Sequence, residues 1–240
     1  MKPAAVPVAA SEAWARLFRP PVAHRGLWSP KGAPENSLVA FEAAVEADYG
    51  IELDVRLSDD GVVMVFHDEG LERMVGRQGR IADHTAAELG AMRLRDSREP
   101  IPTLAEVLDR VDSQSLIHIE LKTKPGEEGP LDAAVAALTD AYAGPIAVIG
   151  FNAWSHAWWA EHRPSVLRGL DCREPDKLAE HVAIGRPHFL ALSVDMLDSA
   201  PARAARASGF PIVAWTVRSE EMAAAVADLC DNLIFEGFRP

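Results

Sequence analysis

The feature that most constrains how this chain folds is a repeated alternation of two kinds of segment. A short apolar run rich in β-branched residues is followed by an Ala- and Leu-rich stretch with helical spacing, and this unit recurs along the 240-residue chain. The predicted strands are Val22–His24, Ile51–Leu57, Leu116–Leu121, Ile146–Phe151, Val166–Leu170, Phe189–Val194, Ile212–Val217 and Leu233–Phe235. Eight such units joined by short segments containing Gly and Pro predict a parallel sheet, and its closure gives an α/β fold of the (β/α)8 TIM-barrel type.

The segments between these strands are predicted to be helices. They are Leu38–Ala47, Leu104–Val111, Leu131–Ala141, Ala153–His162, Lys177–Ile184, Ala200–Ser208 and Glu220–Leu229. A single barrel domain over residues 1–240 is expected, because such barrels typically have about 250 residues. An open doubly wound sheet is the alternative, but no Gly-x-Gly-x-x-Gly turn follows the first strand to support a dinucleotide-binding version.

One further apolar run, Val62–His67, does not fit the parallel count. It follows the second strand across Asp60-Gly61, a pair typical of hairpin turns, so the two runs should be antiparallel. This pairing would place His67 across from Glu52 or Asp54. These residues would then meet at the carboxyl end of the second strand, where TIM-barrel enzymes have their active sites.

The longest interruption of the alternation covers residues 68–102. A short helix is predicted over Thr85–Met92. We interpret the segment as a small insertion at the barrel mouth rather than as a second domain.

Composition and charge argue against several classes of function. The net charge of −12 and the pI near 5.1 argue against a partner that is a nucleic acid or an anionic membrane, because binding either requires a basic face. No segment approaches the roughly 18 consecutive apolar residues of a membrane span, and Met1–Ala10 is a poor signal peptide with Lys2 as its only basic residue. We expect a cytoplasmic protein without stable membrane insertion, in which Cys172 and Cys230 are reduced thiols. The oligomeric state is not predicted.

Three carboxylates on two predicted strands indicate a metal site. Glu52 and Asp54 are two residues apart on a strand, so both side chains leave the same face, where buried carboxylates require a cation. Glu120 lies on the interior face of the strand Leu116–Leu121, with Lys122 nearer the mouth. Three carboxylates suit a hard divalent cation such as Mg²⁺ or Ca²⁺, whereas zinc would require a Cys/His cluster. For Glu52 and Asp54 taken alone, the alternative to a metal site is that both side chains form a polar stripe on the outer face of the strand.

Two histidines end predicted strands at the same rim. His24 ends the first strand and His67 ends the hairpin, both beside the carboxylates. Cleavage of a phosphodiester needs one group to take a proton from the nucleophile and another to protonate the leaving oxygen, and histidine can do either near neutral pH. Arg25 and Lys122 could neutralise the phosphate oxygens. We interpret His118 as a hydrogen-bonded residue of the barrel interior rather than as a catalyst.

These residues, in this order, resemble the glycerophosphodiester phosphodiesterase family in its short, single-domain bacterial form. The matching pieces are His24-Arg25-Gly26, Pro34-Glu35-Asn36-Ser37, Glu52–Val55, Asp60-Gly61, His67-Asp68, Leu71-Glu72-Arg73, Ile101–Glu106, Glu120-Leu121-Lys122, Phe151-Asn152 and Trp215-Thr216-Val217. Any one piece is weak, but the ordered set is highly specific.

The resemblance implies a barrel that hydrolyses small-molecule glycerophosphodiesters to glycerol 3-phosphate and an alcohol. It implies a divalent cation, Mg²⁺ or Ca²⁺, held by Glu52, Asp54 and Glu120. It also implies His24 and His67 as general acid and base, in an order that the sequence leaves open.

The chain departs from the family pattern towards its end. Arg218 stands where Asn usually follows Trp-Thr-Val, and the usual ending Thr/Ser-Asp-x-Pro reads Phe235-Glu236-Gly237-Phe238. These departures leave the carboxylates and histidines in place, so they bear on the alcohol half of the substrate. We expect Arg218 to be a solvent-facing residue at a helix start, with an extra cation for an acidic head group as the alternative.

The aromatic residues suggest two further features. Phe151 and Trp215 at strand ends are expected to bind substrate as an apolar wall for the glycerol carbons. Trp154, Trp158 and Trp159 follow helical spacing and are expected to pack a helix against the barrel, with a patch that grips a lipid chain as the alternative.

Two rival functions stay open at this point. One is a lysophospholipase D or phosphoinositide-type phosphodiesterase, which would need a hydrophobic ramp or a membrane anchor. The other is a non-catalytic phosphate-binding barrel. A non-catalytic barrel would usually have lost a metal ligand or one of the two histidines. All five of these candidate residues are present, namely Glu52, Asp54, Glu120, His24 and His67.

Overall fold

Within the described residues, which are 1–7 and 11–240, the computed structural model contains eight parallel strands that close into a barrel and a ninth strand that extends from it. The strands are β1 Val22–His24, β2 Gly50–Leu57, β3 Val63–Val65, β4 Ile117–Leu121, β5 Ile146–Gly150, β6 Leu167–Cys172, β7 Phe189–Ser193, β8 Ile212–Val217 and β9 Asn232–Phe235. The order around the barrel is β1-β9-β8-β7-β6-β5-β4-β2, and β2 pairs again with β1. The predicted TIM-barrel class is confirmed. That residues 1–240 form a single domain stays a prediction.

The helices lie between the strands, as predicted, except for the first one, which precedes β1. They are α1 Ser11–Leu17, α2 Leu38–Glu46, α3 Glu72–Val75, α4 Ala86–Ala91, α5 Leu104–Val111, α6 Pro130–Thr139, α7 Ala153–His162, α8 Leu178–Gly185, α9 Ala200–Ala207 and α10 Glu220–Val226. Short 3-10 helices cover Ile81–Asp83 and Val194–Met196. Helices α1 and α3 were not predicted.

Side-chain caps fix where several of these helices begin. The Ser37 hydroxyl accepts a hydrogen bond from the Ala40 backbone N–H and so starts α2. Thr103 and Glu106 form a capping box at the start of α5, an arrangement that contributes about 1 kcal/mol. The Ser37 cap matters for the site, because it sets the path of the residues immediately before α2.

The apolar residues form separate clusters outside and inside the barrel. The larger cluster lies between the strands and the surrounding helices. The smaller one fills the barrel interior from residues such as Ile149, Phe189 and Ile234, and Leu17 of α1 joins it from below. The Asn232 amide donates hydrogen bonds to the backbone carbonyls of Leu17 and Pro20. Helix α1 therefore closes the amino end of the barrel and leaves the carboxyl end open.

Strands β2 and β3 form the predicted antiparallel hairpin. Val55 pairs with Val65 in the ladder, and the Phe66 N–H donates to the Asp54 carbonyl at 2.9 Å. Strand β3 is shorter than predicted, so His67 lies just beyond its end. Residue 53, rather than Glu52 or Asp54, is the position opposite His67 when this ladder is continued by two residues.

The segment that follows the hairpin builds its own small core. The cluster comprises Met64, Phe66, Leu71, Met74, Ile81, Leu89, Met92, Leu94 and Ile101. The predicted helix Thr85–Met92 forms as α4, with Thr85 as its N-cap. This packing anchors the inserted segment to β3 at the barrel mouth.

Among the described residues, no helix combines the length and the apolar character needed to cross a bilayer. The Met1–Ala10 segment includes residues 8–10, which lie outside the described part. Cys172 and Cys230 are free thiols, as expected.

Candidate active site

The barrel brings the three predicted carboxylates together. In the β2–β4 ladder, Asp54 pairs with Glu120 and Glu52 pairs with His118, so all four side chains point into the barrel. Glu52, Asp54 and Glu120 each offer an oxygen within 4.8 Å of the others, and all three are buried. The outward-facing alternative for Glu52 and Asp54 is therefore excluded.

Two cations lie among these carboxylates. Lys122 Nζ is 2.8 Å from Asp54 Oδ1 and 2.6 Å from Glu120 Oε1. Arg25 Nε is 3.2 Å from Asp54 Oδ2, and the Arg25 backbone N–H donates to Glu52 Oε2 at 2.9 Å. Within the described chain, Glu52 Oε1 is buried without a hydrogen-bond partner.

The pKa values of the carboxyl groups reflect this crowding. Burial, and then repulsion from Asp54, raise the pKa of Glu52 well above its usual value. Burial raises the pKa of Glu120 to about 7, although Lys122 opposes the shift. Burial would also raise the pKa of Asp54, but Lys122 and Arg25 more than offset it and hold that pKa well below its usual range. The negative charges of Glu52 and Glu120 are therefore poorly compensated by the neighbouring cations.

This donor set fits a hard divalent cation. It supplies three carboxylates and one oxygen without a partner, all in a low-dielectric site where a cation would relieve their repulsion. Zinc would favour nitrogen or sulfur ligands. The geometry therefore agrees with the cation class predicted from the sequence, and it does not distinguish Mg²⁺ from Ca²⁺.

Both predicted histidines lie at the same rim, and each has a carboxylate on one ring nitrogen. His24 Nδ1 is 2.7 Å from Glu236 Oε2, and His67 Nδ1 is 2.6 Å from Asp68 Oδ1. His24 Nε2 lies 3.9 Å from Glu52 Oε2. Burial lowers the pKa of both rings, and the neighbouring carboxylates oppose that shift. Both histidines line one cavity with Glu52.

A loop before α2 braces the carboxylates from one side. Asn36 Nδ2 donates to Asp54 Oδ2 at 2.7 Å. Glu35 accepts hydrogen bonds from Arg25 at 2.8 Å and from Arg73 at 2.7 Å. The Pro-Glu-Asn-Ser piece of the sequence therefore fixes both the carboxylate Asp54 and the cation Arg25.

Gly26 is required for this arrangement. Its φ is +81°, and a Cβ atom added there would lie 2.8 Å from the Ala40 carbonyl carbon. Leu27 N–H donates to the Ala40 carbonyl at 2.8 Å, so the loop after β1 rests directly on α2. A larger residue at position 26 would displace Arg25 from the carboxylates.

The cavity between these groups has a volume of about 250 Å³. Phe151 and Trp215 form one wall, with ring centroids 5.5 Å apart and nearly perpendicular planes. The Arg173 guanidinium lies over the Phe151 ring, 5.7 Å from its centroid. The cavity therefore has charged side chains of both signs at its bottom and aromatic side chains along one wall.

Eight of the nine predicted site residues line this cavity. They are His24, Arg25, Glu52, His67, Glu120, Lys122, Phe151 and Trp215. Asp54, the ninth, lies next to them in contact with Arg25 and Lys122.

Some interpretations of neighbouring residues were wrong. Neither ring nitrogen of His118 has a hydrogen-bond partner in the described residues, although we expected a hydrogen-bonded residue. The expected packing of the three tryptophans holds for the buried Trp159 and the partly buried Trp158, but Trp154 is 55% exposed. Arg218 is exposed as predicted, yet its Nε also donates to Glu236 at 2.8 Å.

Sequence reasoning missed two carboxylates that reach the site. Asp171 is buried on β6 and lines the cavity. The predicted strand ended at Leu170, and an acidic residue two positions after Gly169 on an interior face would have been the signal. Glu236 is separated from His24 by 212 positions, and no local pattern could connect them.

The fold and this set of residues define a TIM-barrel enzyme that hydrolyses phosphoric diesters. A sequence model of the glycerophosphoryl diester phosphodiesterase family matches residues 24–237. The chain belongs to the glycerophosphoryl diester phosphodiesterase family.

Individual relatives agree with this assignment. A glycerophosphodiester phosphodiesterase of Caldanaerobacter subterraneus is 29% identical over 244 residues, which cover 89% of this chain and 92% of that protein. The structure of an Oleispira antarctica phosphodiesterase in complex with the product sn-glycerol-3-phosphate has a TM-score of 0.83 at 26% identity, covering 93% of this chain and 94% of that one. A glycerophosphodiester phosphodiesterase of Thermotoga maritima has a TM-score of 0.72 at 30% identity, covering 90% and 94%.

Proposed function

We propose that the protein hydrolyses glycerophosphodiesters to glycerol 3-phosphate and an alcohol, using a divalent cation and two histidines. The observation that carries this proposal is the meeting of three buried carboxylates and two histidines around one cavity. The Oleispira antarctica structure, which holds glycerol 3-phosphate as its product, supports the substrate class.

Glu52, Asp54 and Glu120 would hold the cation. When bound there, a divalent cation acts as a Lewis acid that polarises a phosphate oxygen and lowers the pKa of an attacking hydroxyl. Mg²⁺ and Ca²⁺ are the candidates because all three ligands are oxygens. Lys122 Nζ lies 2.8 Å from Asp54 Oδ1 and 2.6 Å from Glu120 Oε1, so it would keep these two carboxylates in place as ligands.

His24 and His67 would move the protons. Since each ring has its Nδ1 next to a carboxylate, Nε2 is the nitrogen available to a ligand in the cavity. One histidine takes the proton of the attacking hydroxyl, which belongs to water or to the substrate's own glycerol, the P–O bond to the alcohol breaks, and the other histidine protonates the leaving alcohol oxygen. If the glycerol hydroxyl attacks, water then opens the cyclic phosphate that forms. Their side chains are 14% and 33% exposed, so both are reachable from the cavity.

The remaining predicted residues would bind the substrate. Arg25 and Lys122 lie beside the carboxylates with their cationic groups close to the cavity, where a phosphate would need donors. The wall formed by Phe151 and Trp215 offers apolar surface to the carbons of the glycerol half.

The test is release of glycerol 3-phosphate from glycerophosphocholine and a panel of related diesters. The assay is run in EDTA and then with Mg²⁺ or Ca²⁺ restored. We expect release that depends on the cation and differs among head groups. No release from any diester with either cation would contradict the proposal.

A matched pair of variants makes this test specific. Asp54→Asn removes a proposed ligand and should abolish the stimulation by added cation. Asp140→Asn makes the same chemical change in an exposed ion pair with Arg163 and should leave release unchanged. Equal stimulation by the cation in both variants would refute the ligand role of Asp54.

A further inference from the structure

Glu236 lies against the first of the two histidines. Its Oε2 is 2.7 Å from His24 Nδ1, and the two side chains are only 16% and 14% exposed. A carboxylate can only accept a hydrogen bond, so His24 must carry its proton on Nδ1 to make this contact. The other nitrogen, Nε2, then faces the carboxylate cluster, 3.9 Å from Glu52 Oε2.

Glu236 is itself held on its other side. Arg218 Nε donates to Glu236 Oε1 at 2.8 Å, and the Glu236 backbone N–H donates to the Val217 carbonyl at 3.0 Å. Both oxygens of the carboxylate therefore have partners. Arg218 stands where the family pattern has Asn, whereas Glu236 keeps a carboxylate where the pattern has Asp, and the structure places the two side chains in contact with each other.

The second histidine has the same arrangement. His67 Nδ1 is bonded to Asp68 at 2.6 Å, and Arg73 Nε donates to the other Asp68 oxygen at 2.6 Å. Each histidine therefore contacts a carboxylate, and that carboxylate in turn contacts an arginine. The two chains of contacts come from unrelated parts of the sequence, since Asp68 adjoins its histidine whereas Glu236 is 212 positions from His24.

We propose that Glu236, held by Arg218, is a positioning residue that fixes the His24 ring with Nε2 directed at the reacting groups. The proposal rests on the proposed function, since it assigns Glu236 a role in the turnover that His24 supports. Without the carboxylate, the ring would lose the partner that selects its tautomer and its orientation, as happens when the carboxylate that holds a catalytic histidine is replaced by an amide.

The first experiment measures turnover of a glycerophosphodiester by Glu236→Gln with its cation present. We expect kcat to fall at least about tenfold and at most about ten-thousandfold, with KM changed less than about threefold, because the substitution disturbs His24 and not substrate binding. Glu42→Gln is the matched control, since Glu42 also pairs with an arginine, Arg110, but on the outer surface of α2. Its kcat should equal that of the wild type.

The same substitution is then made in the His24→Ala background. If Glu236 acts through His24, Glu236→Gln should lower the remaining kcat by less than about twofold, because coupled residues are not additive. A further fall as large as in the wild type would overturn the proposal. So would a Glu236→Gln enzyme with wild-type kcat.

A second measurement does not depend on activity. Ring ¹⁵N chemical shifts of the cation-loaded protein report which nitrogen of His24 carries the proton, with the signal assigned by its loss in His24→Ala. At a pH where the ring is neutral, we expect the Nδ1-protonated form in the wild type and a shift towards the other form in Glu236→Gln. An unchanged tautomer would overturn the proposal even if kcat had fallen, whereas an inactive wild type would count only against the proposed function.

Discussion

At the scale of single residues, the site depends on groups that are held in one orientation by a neighbour. His24 and His67 each have a carboxylate on Nδ1, and Asp54 is held by Asn36 and Lys122. Such contacts reduce the reorganisation that a reaction requires, because the reacting atoms already face the ligand. The effect of a substitution therefore depends on whether it removes a reacting group or a group that orients one.

Replacing His67 with alanine should lower kcat by about two to four orders of magnitude, the usual contribution of general acid–base catalysis. The fold should be retained, because the His67 side chain is 33% exposed and lies beyond the end of β3. Steady-state kinetics and the melting temperature test both parts. His181→Ala, at a half-buried position on α8 away from the cavity, serves as the control. A kcat within about twofold of wild type would exclude His67 from proton transfer.

His118 should make the protein sensitive to acid. Burial lowers its pKa to about 4, below the value near 6.5 of an unfolded histidine. Between these values the unfolded chain binds the proton and the folded protein does not, so stability is lost as pH falls. Between pH 7 and pH 5, the unfolding free energy of the wild type should fall by about 2 kcal/mol more than that of a His118→Leu variant.

Denaturant unfolding at the two pH values measures this difference. His181→Leu provides the control and should keep the wild-type pH dependence. If His118→Leu and the wild type lose the same stability between pH 7 and pH 5, the ring does not resist protonation in the fold.

At the scale of secondary-structure elements, a buried carboxylate joins two neighbouring helices. Asp132 in α6 accepts hydrogen bonds from the Trp159 indole N–H at 2.9 Å and from the Gly129 backbone N–H at 2.8 Å. It also accepts from the Ser155 hydroxyl, so it contacts α7 at two points. These contacts lie among the outer helices, and no residue of the cavity takes part in them.

Asp132→Ala should lower the unfolding free energy by about 3 kcal/mol, because it leaves buried donors without an acceptor. The kcat of the folded enzyme should not change. Asp109→Ala, at an exposed position in α5, removes a carboxylate without buried partners and should cost much less. A large loss of turnover at unchanged stability would show that α6 and α7 influence the site.

Much of the fold and of the site could be predicted, because strand alternation is a local signal. Glu52, Asp54 and Glu120 were found since each follows the period of two on a single strand. Asp171 was missed because β6 extends two residues beyond its predicted end. Glu236 could not be found, since its contact with His24 exists only in the folded chain.

The lack of a partner for His118 was also beyond prediction. Whether a buried nitrogen finds a partner depends on packing in three dimensions, and the neighbour of His118 is the Phe189 ring at 5.7 Å. Helix α1 was missed for a related reason, because it is stabilised by packing on the amino end of the barrel, a contact between parts of the chain that are distant in sequence.

At the scale of the whole molecule, stability and chemistry occupy opposite ends of the barrel. The cavity lies at the carboxyl ends of the strands, while Leu17 and Ala13 of α1 pack against the interior cluster at the other end. A division of this kind is typical of TIM barrels. Changes at the closed end should therefore alter stability without altering turnover.

Leu17→Ala tests this separation. Leu17 is fully buried, so its truncation should cost about 2–5 kcal/mol of unfolding free energy. At temperatures below the transition, kcat and KM should match the wild type. Thermal unfolding and steady-state kinetics on one preparation provide both numbers. A loss of kcat that accompanies the loss of stability at these temperatures would mean that the two ends of the barrel are coupled.

The pairing of β1 with β9 also sets an order of events during synthesis of the chain. The proposed cation ligands and both histidines all lie within residues 24–120, in the first half of the sequence, so they are synthesised well before β9. Val22 and Ala23, however, pair with Ile234 and Phe235, so β1 has one free edge until the final strand emerges. A nascent chain of 200 residues would thus carry every proposed reactive group and still lack the closed ring that holds them in place. Hydrolysis should begin only after β9 has emerged and closed the ring.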